Sequence, residues 1–144
     1  MPGNFLDMKL PTSHFDKIFI YSVLHYLGNK IEVLNFIERA LAILKPGGRM
    51  LLGDITNVSK KGRFVSSKTG QHVAKDWAEL TKNAGIGAFE GLRPDIESVT
   101  FDDALVLDLL GIIRSKGMEA FLLPQPIDLP FGGSREDILV VAHD

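Results

Sequence analysis

The chain has 144 residues and a formal net charge of -2, with 45% hydrophobic and 24% charged residues. A chain near this length can form one domain with a sizeable core, and the nearly balanced charge offers no basic surface for nucleic acid or anionic lipid. Cysteine is absent, which excludes disulfides and thiolate metal sites. No apolar run reaches the roughly 20 residues that span a bilayer, and the N-terminus lacks the pattern of a signal peptide. We therefore expect one cytoplasmic domain over residues 1–144.

The first half of the chain predicts a strand–helix–strand unit. Residues 15–23, FDKIFIYSV, are rich in aromatic and β-branched side chains and predict a buried strand. Asn29, with Glu32 three residues later, forms a capping-box pattern at the start of a helix. The apolar stripe of that helix is Ile31, Leu34, Ile37, Leu41 and Leu44. Residues 45–48, KPGG, end the helix, and residues 49–55 predict a second strand parallel to the first.

The middle of the chain predicts a loop and then a helix. Residues 56–70 are polar and rich in Ser, Lys and Gly, which is typical of an exposed loop. Val73, Leu80 and Ala84 then share a helical face with Trp77, which we expect to be a packing anchor rather than a ligand-stacking group. The glycines and the proline of residues 85–97 indicate an irregular excursion.

The last part of the chain predicts another helix and two strands. Thr100 and Asp103 form a second capping-box pattern, and Gly117 ends the helix that follows. Residues 118–124 and 137–142 predict two strands whose linker has no room for a crossover helix, so the pair is antiparallel. The predicted fold is α/β, with parallel strands, an antiparallel final hairpin strand, and the spatial order first, second, fourth, third.

Taken together, these segments resemble the C-terminal half of a class I S-adenosylmethionine-dependent methyltransferase. FDKIFIYSVLHYL, a helix and LKPGGRMLLGDI are similar to the fourth strand, fourth helix and fifth strand of that family. The closing helix, MEAFLLP and REDILVVAHD are similar to its last helix and antiparallel strand pair, and GNFLDMKLPTSHFD to the segment after its third strand. The resemblance implies a Rossmann-like methyltransferase sheet that is partial. The glycine-rich loop of the family's first strand, which holds the cofactor, does not occur upstream of residue 15.

The resemblance implies a methyl transfer from S-adenosylmethionine to a small-molecule or sugar-like acceptor. Without the glycine-rich loop, we expect weak or absent cofactor binding and no activity from this chain alone. Either the chain is a fragment of a larger enzyme, which we favour because it starts squarely at the loop before a strand, or it is a natural remnant. The alternative function is a non-catalytic interaction module. The edge of the first strand predicts a homodimer or pairing with the missing N-terminal half.

The match to the family also assigns cofactor-binding positions. Asn4 takes the place of the side chain that accepts a hydrogen bond from the adenine amine, and Phe5 supplies a backbone amide to the neighbouring ring nitrogen; without the family, Asn4 is a simple turn residue. Tyr21 and Ser22 end the first predicted strand, where ligands bind in open α/β sheets. The family uses backbone groups at this point against the methionyl amine.

Two further residues are candidates for catalysis. His25 follows the first predicted strand, where it either acts as a general base or only hydrogen-bonds the loop. Asp54 ends the second strand at the same rim and either faces the acceptor or caps the loop beyond. Arg135, with Glu136 and Asp137, opens the last strand and is expected in a surface ion pair rather than in an anion site. No metal is assigned because the histidines lack companions at ligand spacing. Residues 56–70, 85–99 and 125–135 match the segments where the family builds its acceptor pocket.

Overall fold

The fold is taken from a computed structural model that describes residues 4–83, 98–126, 129 and 131–144. Its strands and α-helices, in chain order, are β1 (Phe15–Tyr21), α1 (Lys30–Ile43), β2 (Leu44–Thr56), α2 (Val58–Val65), α3 (Lys68–Asn83), α4 (Asp103–Ser115), β3 (Met118–Pro124) and β4 (Arg135–Ala142). Two short 3-10 turns, Phe5–Asp7 and Leu24–Tyr26, flank β1. None of the helices in this part of the chain is both long and apolar enough to cross a membrane.

The four strands form one sheet in the order β1-β2-β4-β3. β1 pairs with β2 in parallel, and β4 is antiparallel to both of its neighbours. The predicted strand order and the antiparallel final strand are therefore confirmed. The first strand ends two residues earlier than predicted, at Tyr21, and the last begins two residues earlier, at Arg135.

The core lies against one face of the sheet. Side chains alternate between buried and half-exposed along β4, which is the pattern of a sheet covered on one side. The buried face presents Ile20, Met50, Leu52, Ile138 and Val140, and α1 and α4 contribute the helical part of the same cluster. The other face carries a row of apolar side chains that are paired across the four strands. In order, these are Phe19, Leu51, Leu139 and Phe121.

Helix α1 begins as predicted and ends at Ile43, one residue before the last member of its predicted stripe. The Asn29 side chain accepts a hydrogen bond from the Glu32 amide at 3.0 Å, and the Glu32 carboxylate accepts one from the Gly28 amide at 2.8 Å. Ile31 is 69% exposed, so its place in the apolar stripe was wrong. It lies in the first turn, whereas the buried face runs through Val33, Ile37 and Leu41.

Residues 45–48 do not separate α1 from the next strand as a loop. Helix α1 ends at Ile43, and these residues already belong to β2, where they bulge out of the pairing with β1 before it resumes at Arg49. Gly47 adopts a left-handed conformation with φ 70°, and its amide donates to the carbonyl of His143 at 3.1 Å. The bulge therefore ties the start of β2 to the end of β4.

The prediction of a loop over residues 56–70 was wrong. The segment forms α2 and the start of α3, and none of the α2 side chains is fully buried. The side chain of Asn57 caps α2 by accepting from the Lys60 amide at 3.0 Å. The sequence did not indicate a helix here, because polar contacts rather than an apolar stripe hold α2 in place. The predicted helix end at Gly85 and the predicted excursion over residues 85–97 lie outside the described residues.

The N-cap of helix α4 lies two residues after the predicted one. Asp102, rather than Thr100, is the N-cap, and its carboxylate accepts from the Leu105 amide at 2.8 Å. Asp103 is the first residue of the helix. The helix ends at Ser115, and Gly117 closes it as predicted, with φ 80°, where a side chain would be strained.

Candidate functional site

The carboxyl ends of β1 and β2 lie side by side and carry two residues with unusual backbone geometry. Ser22 follows β1 with φ 56°, and Asp54 lies near the end of β2 with φ 62°. The Ser22 amide donates to the carbonyl of Gly53 at 3.1 Å, which joins the two strand ends. Left-handed conformations are costly for residues other than glycine and often mark functional sites. This rim is therefore a candidate functional site.

Asp54 is the centre of a charged cluster at this rim. Its side chain is buried, with 6% of the residue exposed, and its carboxylate accepts hydrogen bonds from the Ser22 hydroxyl and the Arg135 guanidinium. The backbone amide of Asp54 donates to Asp137 at 2.9 Å. Arg135 was expected on the surface, yet only 21% of its side chain is exposed. It forms the expected ion pair, but with a buried partner, so the pair is an integral part of the rim.

Gln125 connects the cluster to Tyr21. Its amide nitrogen donates to Asp137 at 2.9 Å and reaches the Tyr21 hydroxyl at 3.4 Å. Gln125 is buried, whereas Tyr21 is partly exposed and stacks on Phe19 with a ring separation of 5.4 Å. Tyr21, Ser22 and Asp54, which were singled out from the sequence, are thus brought together.

His25 lies in the 3-10 turn that follows β1, next to the same cluster. Its Nδ1 atom is buried and has no hydrogen-bond partner among the described residues. Burial lowers the pKa of His25, the positive charge of Arg135 lowers it further, and the carboxylate of Asp54 opposes both effects. The imidazole is therefore neutral at pH 7, the form that can accept a proton.

Asn4 and Phe5 make their contacts elsewhere. The Asn4 side chain accepts from the Leu6 amide at 3.1 Å and caps the first 3-10 turn, which is the role of a simple turn residue. The Phe5 ring lies 4.8 Å from that of Phe36, and its carbonyl accepts from Arg39 at 2.9 Å, both on α1. Their assignment to the adenine ring stays a prediction.

A second polar network lies behind the rim and was not predicted. The Asn57 amide donates to Glu136 at 2.7 Å and to Asp103 at 2.9 Å. Hydrogen bonds from Arg63, and then from Asn57, lower the pKa of Asp103. Lys60 donates to the carbonyl of Arg135 at 2.7 Å. These contacts fasten α2 to α4 and β4, so we assign them a structural role.

Sequence reasoning missed Gln125 altogether and assigned Arg135 and Asp137 to the surface rather than to the site. Each lies beside the end of β3 or the start of β4. Because β4 runs antiparallel to β2, its first residues lie next to the last residues of β2. The predicted strand order therefore already contained the signal, since the opening residues of the last strand had to meet Asp54.

The similarity of this chain to known proteins is confined to the fold. No protein-family model and no curated protein sequence matches the chain. Among solved structures it is similar to a SAM-dependent methyltransferase from Methanosarcina mazei, with a TM-score of 0.58 and 16% identity over 98% of this chain and 65% of that one. A possible exported protein from Bordetella parapertussis has a TM-score of 0.61 at 12% identity, over 99% of this chain and 43% of that one.

A third similar structure is magnesium protoporphyrin IX methyltransferase from Synechocystis with bound SAH. Its TM-score is 0.54 at 12% identity, over 99% of this chain and 50% of that one. The chain thus spans between 43% and 65% of the length of these three proteins. It has a class I SAM-dependent methyltransferase-like fold with a partial sheet, as the sequence predicted.

Proposed function

We propose that this chain is the acceptor-binding half of a SAM-dependent methyltransferase that acts on a small organic molecule. The observation that carries the proposal is the position of neutral His25 beside the cluster of Asp54, Arg135 and Ser22. This cluster lies at the carboxyl ends of parallel strands, where open α/β sheets bind their ligands. The methyltransferases among the similar structures support the reaction class.

The residues of the rim suit the acceptor side of such a reaction. When bound, the cofactor supplies an activated methyl group, so the protein mainly has to align the acceptor and remove its proton. His25 would take that proton, because its lowered pKa keeps the imidazole unprotonated at neutral pH. The fixed pair of Asp54 and Arg135 would hold the charge around it constant as the proton moves.

The chain contains only some of the groups that are needed to bind the cofactor. The amide of Ser22 is engaged by Gly53 and its hydroxyl by Asp54, so we expect backbone carbonyls of the rim to meet the methionyl amine. The 144 residues contain no Gly-x-Gly-x-Gly sequence. The loop that lets a backbone approach the cofactor closely would have to come from outside these residues.

Binding of the cofactor to this chain tests the proposal. If the absent glycine-rich loop and the acidic residue that holds the ribose hydroxyls in such folds together contribute about 4 kcal/mol, affinity falls roughly a thousand-fold, so titration calorimetry should detect no micromolar binding of S-adenosylmethionine. Amide-resolved NMR with S-adenosylhomocysteine at millimolar concentration should still shift the resonances of Tyr21, Ser22 and His25. Micromolar affinity would show that the chain holds a complete cofactor site. Shifts elsewhere, with none at the rim, would contradict the proposed site.

A non-catalytic interaction module is the second candidate function. The observation that favours it is the edge position of β1, whose exposed Phe19 and Tyr21 rings lie on the uncovered face of the sheet. An edge strand presents unpaired backbone groups to another strand. The NMR titration separates the two functions, because a module without a cofactor role would show no localised shifts at the rim.

A further inference from the structure

An apolar groove lies between α2, α3 and the residues that precede β4. Its volume is about 270 Å³, and its walls include Phe64 of α2, Val73 and Trp77 of α3, and Phe131. Trp77, predicted to be a packing anchor, is instead 55% exposed. About half of the residue is therefore exposed, and it lines the groove rather than the core.

One end of the groove is polar and positively charged. Lys61 and Ser134 line both the groove and an adjoining cleft of about 260 Å³. Lys61 is exposed, and the ion pairs of the described residues do not include it. Arg135 also lines the cleft, with its guanidinium carbon 4.5 Å from the centre of the Phe131 ring. The apolar wall of the groove therefore ends beside the positively charged side chains of Lys61 and Arg135.

Arg135 connects this region to the candidate site. The same guanidinium that lines the cleft is paired with Asp54, next to Ser22 and His25. A molecule that fills the groove and the cleft therefore extends to the edge of the cluster in which proton removal is proposed. Together the two volumes fall within the roughly 300–1,000 Å³ of small-molecule sites.

We propose that the groove binds the methyl acceptor, and that this acceptor is a small organic acid with an apolar, ring-containing body. The inference rests on the function proposed above and narrows its substrate class. The apolar body packs against Trp77, Val73 and Phe64, and the carboxylate pairs with Lys61. A sugar, which lacks a comparable apolar surface, fits this lining poorly, because a cavity of aliphatic and aromatic side chains leaves hydroxyl groups without partners.

The test uses the single tryptophan of the chain, Trp77. Because it lies in the groove wall, its fluorescence and its indole N–H resonance report occupancy without any methyl donor. Hydrocinnamate, a small aromatic acid, should give a saturable change with a dissociation constant on the order of a millimolar. Hydrocinnamamide, its uncharged counterpart, should bind at least about tenfold more weakly.

Two variants locate the charge and the apolar wall. Lys61→Ala should weaken binding of the acid to about the level of the amide. Lys75 is exposed as well, but it lies on α3 outside the lining, so Lys75→Ala should leave binding of the acid unchanged. Val73→Ser should weaken both probes roughly threefold, and Leu107→Ser, on the exposed side of α4, should not. Circular dichroism of each variant confirms that it is folded.

The outcomes separate the groove from the reaction. Equal affinity for acid and amide, no effect of Lys61→Ala, or an unresponsive Trp77 would each overturn the inference. Selective binding of the acid supports it even if the rim fails to respond to S-adenosylhomocysteine, a result that would remove the methyltransferase proposal alone.

Discussion

Asp54 combines burial, charge and a left-handed backbone in one residue, and its contacts predict a large effect of substitution. In Asp54→Asn the side chain keeps its size, and asparagine tolerates positive φ, but Arg135 loses its counter-charge in a setting where only 21% of its side chain is exposed. We expect a loss of about 2 to 3 kcal/mol in the free energy of unfolding, measured by urea denaturation.

An exposed carboxylate provides the matched control for this substitution. Asp16 pairs with Lys45 at 3.1 Å, but 78% of its side chain is exposed. Water screens such a pair, so Asp16→Asn should reduce stability far less. Comparable losses from the two variants would show that the Asp54 pair is no more important than a surface ion pair.

The lowered pKa of His25 predicts a dependence of stability on pH. Between its ordinary pKa of about 6.5 and the lower value in the folded chain, the unfolded state takes up a proton that the folded state does not. Stability contributed by neutral His25 is complete above that range and declines as the pH falls through it. Wild type should therefore lose more stability than His25→Gln as the pH falls from about 6.5 to 5. Parallel curves for the two proteins would contradict the assignment.

The residues of the site were only partly predictable from the sequence. Tyr21, Ser22, His25 and Asp54 were identified because they end or directly follow strands whose carboxyl ends must meet. Arg135 was assigned to the surface because nothing in its local sequence shows that Asp54 is buried opposite to it. Local pattern identifies strand ends, whereas the partner of a charge depends on pairing between segments far apart in the chain.

At the level of elements, α2 is the helix that depends most on polar contacts. Its N-cap, Asn57, is buried and also donates to Glu136 and Asp103. Asn57→Ala removes the cap and leaves the buried Glu136 without this donor. We expect a loss of about 2 to 3 kcal/mol by urea denaturation, the sum of a cap and a buried hydrogen bond.

Helix α1 is also capped by an asparagine, but this residue is exposed to solvent. Asn29 accepts from the Glu32 amide but lies exposed. Asn29→Ala should cost only about 1 kcal/mol, the value of an ordinary cap. If Asn57→Ala were no worse than Asn29→Ala, the polar network would contribute nothing to holding α2.

The same two helices show which elements the sequence could predict. The amphipathic pattern of α1 is readable because its buried residues recur on one side of the helix. Helix α2 carries no buried apolar residue, so its sequence, VSKKGRFV, is typical of a loop. Tertiary hydrogen bonds from Asn57 and the pair of Arg63 with Asp103 override that local preference.

At the scale of the whole molecule, none of the described residues pairs with the outer edge of β1, and the apolar face of the sheet that carries Phe19 is exposed; we propose that the chain self-associates there. Phe19 lies on both, and it is 70% exposed. An alternative is that residues 1–10 fold back over this edge, but it is less well supported, since the turn at Phe5–Asp7 packs on α1. We expect a two-fold dimer by sedimentation at high micromolar concentration, because exposed edges and apolar patches form interfaces.

Substitutions on the sheet separate pairing at the edge from packing through the face. Phe19→Lys should yield a monomer, whereas Leu107→Lys, on the exposed side of α4, should not change the dimer. Phe121, on β3 at the far edge, shares only the face with Phe19. A monomer from Phe121→Lys as well indicates packing through the face, and a retained dimer indicates pairing along β1. A wild type that remains monomeric would contradict self-association altogether.

Tyr21 lies opposite Gly53 in the parallel pair, and its ring occupies the space that a Cβ atom at residue 53 would need. Sliding β1 along β2 by one residue would force the ring against a larger neighbour and turn Ile18 and Ile20 away from the core. The same slip would separate the Ser22 amide from its acceptor on Gly53. Mispaired forms of these two strands are therefore excluded by the residues that end them, and once β1 and β2 align, the β1–β2 part of the rim is already assembled.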